Sequence, residues 1–404
     1  MKILKVNKFY FLRGGAERYF FNLIDILKTH GHEVIPFSMK NERNSKTSYG
    51  KYFVKDTEFY QKKSLWDYFH DAGRILYSLE AKSNIEKLIK ETKPELAHIH
   101  NIAHQISPSI LHSLKKYNIP IVQTLHDYKL FCPSYLFLSR NEICERCKGG
   151  RYFHVMIRKC FRNQRLASIL GCFEAYLHRF LKIYDNIDIF ITPSKFMRNK
   201  MIECGLSQDK VVNIPNFVNT HDFKPKYHHQ DYFLYFGRIS PEKGVGTLIT
   251  AMQEVKRAKL IIAGEGRLLP HIKRYAYDKK IMNVEFLGYK SGKELEDVIR
   301  NAMFVIVPSE CYENFPYAIL ESYALGKPVV GANLGGIPEL IEDQVDGLLF
   351  EAFDYKDLAL KINYFLDNER MLPEMGRKVR EKIEKHYDFE AHYQGLIKIY
   401  EMIL

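Results

Sequence analysis

The sequence predicts an α/β protein with two domains, each built around a buried parallel sheet. Short runs of apolar and β-branched residues recur along the chain, and each run ends at a glycine, a proline or a polar loop. Segments with helical spacing separate these runs, which is the order of elements in a doubly wound fold. The length of 404 residues is sufficient for two hydrophobic cores.

One strand–loop–helix unit, residues 303–331, organises the second half of the chain. Its apolar run Met303–Val307 predicts a buried strand, and Pro316 stands where a helix would begin. Glu313 lies in the loop and Glu321 in the predicted helix. A helix N-terminus favours a phosphate. A carboxylate before this helix and another within it could then bind hydroxyl groups at the two ends of a nucleotide-sugar. The spacing alone is also typical of an ordinary βαβ unit with two solvated glutamates.

A glycine turn follows the first predicted strand, Ile3–Val6. Gly14 and Gly15 stand between this strand and a segment with helical spacing, where the backbone could approach a phosphate closely. A later predicted strand, residues 119–125, ends at His126, and ligands of open α/β sheets bind beyond such strand ends. A single histidine is more often structural, so this position indicates a site only together with other motifs.

The second half begins with the same order of strand and glycine turn. The predicted strand Tyr232–Phe236 leads into Gly237 and Arg238, and Lys243 follows five residues later. Arginine offers a planar fork to two oxygens and lysine a mobile point charge, so the pair suits a diphosphate. Surface ion pairing is the alternative role of these two cations. The next predicted strand, residues 259–263, is likewise followed by two glycines, Gly264 and Gly266.

These motifs resemble the donor-site signature of the retaining family 4 glycosyltransferases. The resemblance is strongest over residues 232–350 and weaker in the first half of the chain. Where the family usually has Gly-Phe-Gly after the first glutamate, this chain has Asn314, Phe315 and Pro316, and a proline lacks the N–H group that the family offers to the donor sugar. The residues that carry the resemblance are Glu313, Phe315, Glu321, Gly326, residues 327–330 and residues 335–339.

The resemblance implies the GT-B fold, in which two Rossmann-like domains with parallel sheets face each other across a cleft. We expect an acceptor-side domain at residues 1–194, with an insertion at about 131–172. A donor-binding domain at residues 195–385 would follow. The last segment, residues 386–404, would form a helix that crosses back to the first domain.

The resemblance also implies a retaining transfer that needs no metal ion or other cofactor for its chemistry. Arg238 and Lys243 would stabilise the leaving diphosphate, and the sequence has no Asp-x-Asp motif for a divalent ion. Glu321 would bind the ribose, Glu313 the sugar and His126 the far side of that sugar. The predicted catalytic residues are His126, Arg238, Lys243 and Glu313, and the predicted donor-binding residues are Gly14, Gly15, Gly237, Gly264, Gly266, Asn314, Phe315, Pro316 and Glu321.

The implied substrates are a UDP-, GDP- or ADP-sugar and a glycan or polyprenyl-phosphate-linked acceptor of surface polysaccharide or glycoconjugate synthesis. A nucleotide-sugar epimerase of the same fold is one alternative, and a non-enzymatic nucleotide-sugar-binding module is another. The two alternatives differ from a transferase in a measurable way, because neither moves the sugar to an acceptor.

Basic residues are concentrated in the first half of the chain. Residues 1–190 contain 31 lysines and arginines against 18 acidic residues, whereas the remaining 29 cations face 30 acidic residues. A one-sided basic field attracts phosphates, and no nucleic-acid-binding motif accompanies it. We therefore expect an anionic membrane surface as partner and no nucleic acid. Without a long apolar run or a signal peptide, we expect a cytoplasmic location at the inner membrane face.

Four cysteines and an amphipathic segment mark the predicted insertion. Cys132, Cys144, Cys147 and Cys160 have the spacing C-x11-C-x2-C-x12-C, which predicts a structural zinc site because two closely spaced cysteines can bind one ion from a tight turn. Buried free thiols are the alternative. A cationic amphipathic helix is predicted over residues 166–184, and it fits either a membrane surface or a packed surface helix.

Overall fold

The computed structural model describes residues 1–56, 72–161 and 163–404. Its first half contains one six-stranded parallel sheet with the order β2-β1-β3-β4-β7-β8, and β5 and β6 form a separate antiparallel hairpin. The strands are β1 Lys2–Val6, β2 Glu33–Phe37, β3 Leu96–Ile99, β4 Ile121–Thr124, β5 Leu138–Ser139, β6 Glu142–Ile143, β7 Ile189–Thr192 and β8 Val211–Asn213.

The second half contains another six-stranded parallel sheet. The strands are β9 Tyr232–Phe236, β10 Lys259–Ala263, β11 Val284–Gly288, β12 Val305–Val307, β13 Val329–Ala332 and β14 Gly347–Phe350. Their order is β11-β10-β9-β12-β13-β14. The chain therefore has the predicted α/β class with two Rossmann-like sheets. Strand β14 was not predicted, although Asp346 and Gly347 mark a turn at its start, because its apolar run spans only residues 348–350.

Helices cover both sheets, and most of them bury an apolar face. The first of them, Gly15–Thr29, buries Tyr19, Phe20, Leu23 and Leu27, which is the spacing of one helix face. Among the described residues, no helix combines the length and the apolar character that crossing a bilayer requires. The other helices include Leu79–Thr92, Ser109–Lys116, His154–Arg158, Arg165–Phe180, Lys195–Cys204, Val245–Ala251, Leu269–Asp278, Gly292–Asn301, Tyr317–Ala324, Tyr355–Asp367, Leu372–His386 and Phe389–Ile403.

The first domain extends beyond the boundary predicted at residue 194. Strand β8 pairs in parallel with β7, and the helix Lys195–Cys204 packs against both of these strands. The segment 195–213 therefore completes the first sheet and does not begin the donor-side domain, which corrects the predicted boundary. The prediction ended the domain too early because β8 has only three residues, and a strand this short leaves little periodicity in the sequence.

The helix Phe389–Ile403 packs on the first domain although it follows the second one in the chain. The Tyr400 hydroxyl lies 2.5 Å from Nδ1 of His98, and Nε2 of His392 lies 3.0 Å from the hydroxyl of Tyr19. One continuous apolar core runs from the second sheet through this helix to the face of the first sheet beneath it. The two domains are therefore joined by packed side chains as well as by the connecting chain.

Candidate functional site

Lys243 and Glu313 form an ion pair at the carboxyl ends of β9 and β12. Lys243 Nζ lies 2.5 Å from Oε1 of Glu313, and the Ser309 hydroxyl donates to the same oxygen at 2.6 Å. Burial alone would raise the pKa of Glu313, but the charge and hydrogen bond of Lys243, the hydrogen bond of Ser309 and the charge of Arg238 together hold this pKa below its usual value. Two predicted catalytic residues are thus brought together, both in their charged forms.

Arg238 lies on the same turn as Lys243 but points into open space. Its side chain is 67% exposed, and its nearest carboxylate is Glu242 at 3.6 Å. A guanidinium this exposed can turn toward a bound anion with little loss of existing contacts. Arg238 and Lys243 therefore supply one mobile and one fixed positive charge at the same edge of the second sheet.

Backbone packing explains why the turns after β9 and β10 contain glycine. A Cβ atom on Gly264 would lie 1.9 Å from the carbonyl oxygen of Gly237, and one on Gly266 would lie 2.1 Å from that of Ile239. Gly264 also has a φ of +158°, which other residues rarely adopt. Gly264 and Gly266 thus allow the two loops to pack closely, and their contact with a ligand stays a prediction.

Pro316 stands directly before the helix Tyr317–Ala324, as predicted. It has an extended conformation with φ −71° and ψ 124°, and no side chain caps the helix. The first N–H groups of the helix are therefore not taken up by a capping side chain, which favours an anion at this end. The preceding residue, Phe315, is buried, and its carbonyl accepts a hydrogen bond from Asn216. Phe315 thus anchors the loop and does not line open space.

Residues of the first domain reach the second domain at Glu321. The guanidinium of Arg18 lies 2.6 Å from Oε1 of Glu321, and a Cβ atom on Gly15 would touch the ring of Tyr317 at 3.4 Å. Burial raises the pKa of Glu321, and Arg18 opposes this shift. The glycine turn formed by Gly14 and Gly15 therefore lies opposite the N-terminal end of the donor-side helix. The sequence motifs did not point to Arg18.

His126 lies across the cleft and contacts the donor-side loop through its backbone. The side-chain amide of Asn314 donates to the carbonyl of His126 at 2.7 Å. Nε2 of His126 lies 2.9 Å from Nδ1 of His100, and Nε2 of His100 lies 2.7 Å from Nζ of Lys5. Burial lowers the pKa of His126 to about 3, so the imidazole is neutral at physiological pH.

The hydrogen-bonded chain behind His126 couples the tautomers of its two imidazoles. Burial lowers the pKa of Lys5 well below its usual value, so its amino group can either donate to Nε2 of His100 or accept from it. When Lys5 donates, the N–H group of His100 is at Nδ1 and donates to Nε2 of His126, whose own N–H group is then at Nδ1. When Lys5 accepts, both tautomers are reversed. Neither Lys5 nor His100 was a predicted site residue.

Two family models together match the chain from residue 13 to residue 385. The model for Glycosyltransferase Family 4 matches residues 13–222, which is more than half of the chain, and the model for Glycosyl transferases group 1 matches residues 217–385. The chain belongs to glycosyltransferase family 4. The two matches meet near residue 220, which agrees with the position of β8 in the first sheet.

Solved structures of similar fold cover the whole glycosyltransferase. Sucrose-phosphate synthase from Thermosynechococcus elongatus has a TM-score of 0.74 at 18% identity, with 100% of this chain and 99% of that chain covered. The Anabaena protein HepE in complex with UDP and glucose has a TM-score of 0.70 at 18% identity, with both chains covered completely. These likenesses confirm the predicted GT-B fold.

Two relatives found by sequence have higher identity to this chain, but the chain covers less of their length. The sulfoquinovosyl transferase SQD2 of Arabidopsis thaliana is 25% identical over 404 residues, with 93% of this chain and 68% of that protein covered. A glycosyltransferase of Methanocaldococcus jannaschii is 32% identical over 219 residues. That alignment covers 54% of this chain and 60% of the relative.

In this glycosyltransferase the predicted insertion, residues 131–172, contacts the donor-side loop next to Glu313. The hydroxyl of Tyr312 donates to Oε1 of Glu145 at 2.8 Å, and Nζ of Lys200 lies 2.8 Å from the same oxygen. The ring of Tyr312 packs against that of Phe196 with centroids 4.8 Å apart. Glu145 lies between two of the insertion's cysteines, so the insertion touches the site through a residue that the motifs did not single out.

The four cysteines of the predicted zinc site lie in one region without converging on one point. Cys147 packs with Cys172 and Cys160 in a small apolar cluster, and all of these thiols are free. Burial raises the pKa of Cys147 to about 12. Within the described parts of the chain, no three His, Cys, Asp or Glu side chains are arranged to hold a metal ion. The four thiols would have to move together to bind a zinc ion, and zinc binding by Cys132, Cys144, Cys147 and Cys160 stays a prediction.

Proposed function

We propose that this protein transfers a sugar from a nucleotide-sugar to a hydroxyl group of a glycan or a polyprenyl-phosphate-linked acceptor, with retention of the anomeric configuration. The observation that carries the proposal is the ion pair of Lys243 and Glu313, with Arg238 exposed on the same turn as Lys243. The uncapped helix that begins after Pro316 follows Glu313 in the same loop. These positive groups and the carboxylate match the charges of a nucleotide-sugar, whose diphosphate is anionic and whose sugar offers hydroxyl groups.

The names of similar proteins support the same class of substrate. HepE has been solved with UDP and with UDP-glucose, and one relative is the amylovoran biosynthesis glycosyltransferase AmsK of Erwinia amylovora. AmsK is 25% identical over 244 residues. For this chain the donor would be a UDP-, GDP- or ADP-sugar, and the acceptor would belong to surface polysaccharide or glycoconjugate synthesis.

In the proposed reaction the bond between the anomeric carbon and the diphosphate oxygen breaks, and a bond to the acceptor oxygen forms on the same face. Negative charge grows on the leaving diphosphate, where Arg238, Lys243 and the helix N-terminus stabilise it. The proton of the acceptor hydroxyl passes to an oxygen of the departing phosphate. No protein carboxylate then has to act as nucleophile, and no metal ion is needed.

The two carboxylates and His126 would position the donor. Glu313 holds Lys243 in place and directs its remaining oxygen toward the sugar, while Glu321 would exchange its contact with Arg18 for the ribose hydroxyls. His126, which is neutral, would hydrogen-bond the sugar from the first domain. The nucleotide would therefore be bound by the second domain and the sugar by both domains.

Replacement of the two cations tests the proposal directly. We expect Arg238→Ala and Lys243→Ala each to reduce turnover by about 10²–10³, the usual effect of removing a preorganised charge donor. Turnover should persist in EDTA. The assay offers UDP-, GDP- and ADP-sugars with and without lipid-linked acceptors and identifies the product, because an epimerase or a binding module would not glycosylate the acceptor.

Arg257→Ala is the matched control for these variants. Arg257 is 69% exposed and pairs with Asp367 in the same domain, away from the turn that carries Arg238. Its removal should leave turnover unchanged. Normal turnover in both site variants, or a chemical step that stops in EDTA, would contradict the proposed mechanism.

A further inference from the structure

The helix Arg165–Phe180 exposes its large apolar residues and buries its small and polar ones. Its buried residues are Ser168, Gly171, Cys172, Glu174 and His178. The exposed fractions on the opposite side reach 82% for Leu166 and 84% for Phe180. This is the reverse of a helix that packs on a soluble core. The exposed apolar residues, at heptad spacing, are Leu166, Ile169, Phe173, Tyr176 and Phe180.

Polar contacts beneath the helix hold it in this orientation. The buried carboxylate of Glu174 lies 2.7 Å from Nζ of Lys129 and 3.3 Å from Nε2 of His104, and Nε2 of His178 lies 2.8 Å from the carbonyl of Leu76. Rotating the apolar residues inward would break these bonds and leave a charge buried without its partner, which is strongly unfavourable. The apolar side therefore faces outward because of specific interactions.

The short helix His154–Arg158 extends the exposed apolar area. Phe153, Met156 and Ile157 are exposed, and the backbone N–H of Phe153 donates to the Tyr176 hydroxyl at 3.3 Å, which joins the two helices. We call this area the insertion face. It consists of Phe153, Met156, Ile157, Leu166, Ile169, Phe173, Tyr176 and Phe180.

The charges around the insertion face fit an anionic surface. Between residues 146 and 184 the sequence has nine lysines and arginines and a single acidic residue, Glu174, which is buried and paired. Arg165, Arg179 and Lys182 are exposed at the two ends of the long helix. A second copy of the chain would bring cations against cations, whereas anionic phospholipids present negative charge above an apolar layer.

We propose that the insertion face docks into the interfacial layer of a bilayer that contains anionic phospholipids. Phe173, Leu166 and Phe180 enter the boundary between headgroups and acyl chains, while the flanking cations contact lipid phosphates. The proposal rests on the orientation of this helix and not on the transfer reaction. The sequence analysis expected membrane binding from the overall charge of the first half of the chain. The insertion face assigns that binding to a defined surface of the acceptor-side domain.

Co-sedimentation of the full chain with vesicles tests this surface. We expect binding to phosphatidylcholine vesicles that contain phosphatidylglycerol, weaker binding to pure phosphatidylcholine, and a loss of affinity as salt screens the cations. The double variant Leu166→Gln/Phe180→Gln should lose tenfold or more in affinity, since both side chains leave water only in the membrane. Arg165→Gln/Lys182→Gln should lose roughly tenfold on the anionic vesicles and little on the neutral ones.

The matched control is Tyr277→Gln/Met282→Gln. These two residues are 84% and 89% exposed on the second domain, so the control removes as much exposed apolar surface at another place. It should bind vesicles like the unmodified chain, and melting curves check that every variant is folded. Equal binding to neutral and anionic vesicles, equal loss in the control, or no vesicle binding overturns the proposal. A dimer that Leu166→Gln/Phe180→Gln dissociates, without vesicle binding, would assign the face to a second copy instead.

Discussion

At the scale of single residues, buried histidines beside the candidate site make the free energy of unfolding depend on pH. His98, His100 and His126 stack in sequence behind the cleft, with ring centroids 4.6 and 5.2 Å apart, and His392 lies on the other side of Tyr19. Burial lowers the pKa of every one of these imidazoles, to about 3 for His126 and about 4 for His392. All four are therefore neutral in the folded protein near pH 7.

We predict that the free energy of unfolding falls as the pH is lowered from about 6.5 toward 4. The unfolded chain takes up protons near the ordinary value of 6.5, whereas the folded chain does not, so the unfolded state binds more protons in this range. Each histidine should contribute a loss of about 1 kcal/mol at pH 5.5 relative to pH 7.5. Urea unfolding at both pH values measures it.

The variant His392→Asn separates this effect from general acid denaturation. It removes one group that takes up a proton only on unfolding, so the difference between the two pH values should shrink by about 1 kcal/mol. The variant is compared with itself at the two pH values, so any loss of packing around Tyr19 cancels. An unchanged difference would mean that His392 does not remain neutral in the folded state.

Sequence patterns singled out candidate residues that lie beside their own strand or helix. Lys243 and Glu313 each follow a strand at a recognisable turn, and the structure brings them together in an ion pair that the sequence did not predict. Arg18 and Tyr312 were missed because their partners, Glu321 and Glu145, belong to the opposite domain. The periodicity of the sequence indicates local helices and strands but not which residues face each other across a cleft. Such pairs can be identified only in the folded structure.

At the scale of elements, strands within longer apolar runs were predicted, including the three-residue β12, whereas two strands with short apolar runs were not. The predicted strand Tyr232–Phe236 has these bounds in the structure, whereas β8 and β14 were misjudged or missed. The helix Arg165–Phe180 was predicted in position, but its orientation could not be. Which face of an amphipathic helix is buried depends on Glu174 and its partner Lys129, which lies 45 residues away in the sequence.

The cysteines of the insertion give a prediction at this scale. If the C-x11-C-x2-C-x12-C segment binds zinc, protein purified without chelator should contain about one zinc ion per chain, lost in Cys144→Ser and in Cys147→Ser. The thiols must ionise to bind, so bound zinc should decrease as the pH is lowered. Elemental analysis measures this, and Cys311→Ser, which removes a buried thiol of the second domain, is the control. A metal-free, fully active protein would refute it.

At the scale of the whole molecule, several contacts hold the two domains together around the cleft. Glu339 of the second domain accepts backbone hydrogen bonds from Lys195 and Phe196, at the N-terminus of the helix Lys195–Cys204. A carboxylate at this place also opposes the positive end of the helix dipole. With the pairs of Arg18 and of Tyr312, these contacts make the closed arrangement of the domains a state that single substitutions can weaken.

The last prediction concerns this closed state. Tyr312→Phe keeps the aromatic packing against Phe196 but removes the hydrogen bond to Glu145, a change of about 1 kcal/mol against closure. If the donor is bound by both domains, a smaller closed fraction reduces the apparent donor affinity in proportion, by up to roughly fivefold. Calorimetry with the nucleotide-sugar measures this affinity, and small-angle scattering measures the radius of gyration, which should increase. Tyr364→Phe, on a helix of the second domain, should change neither quantity. Donor affinity and radius both unchanged in Tyr312→Phe would show that the insertion does not control closure.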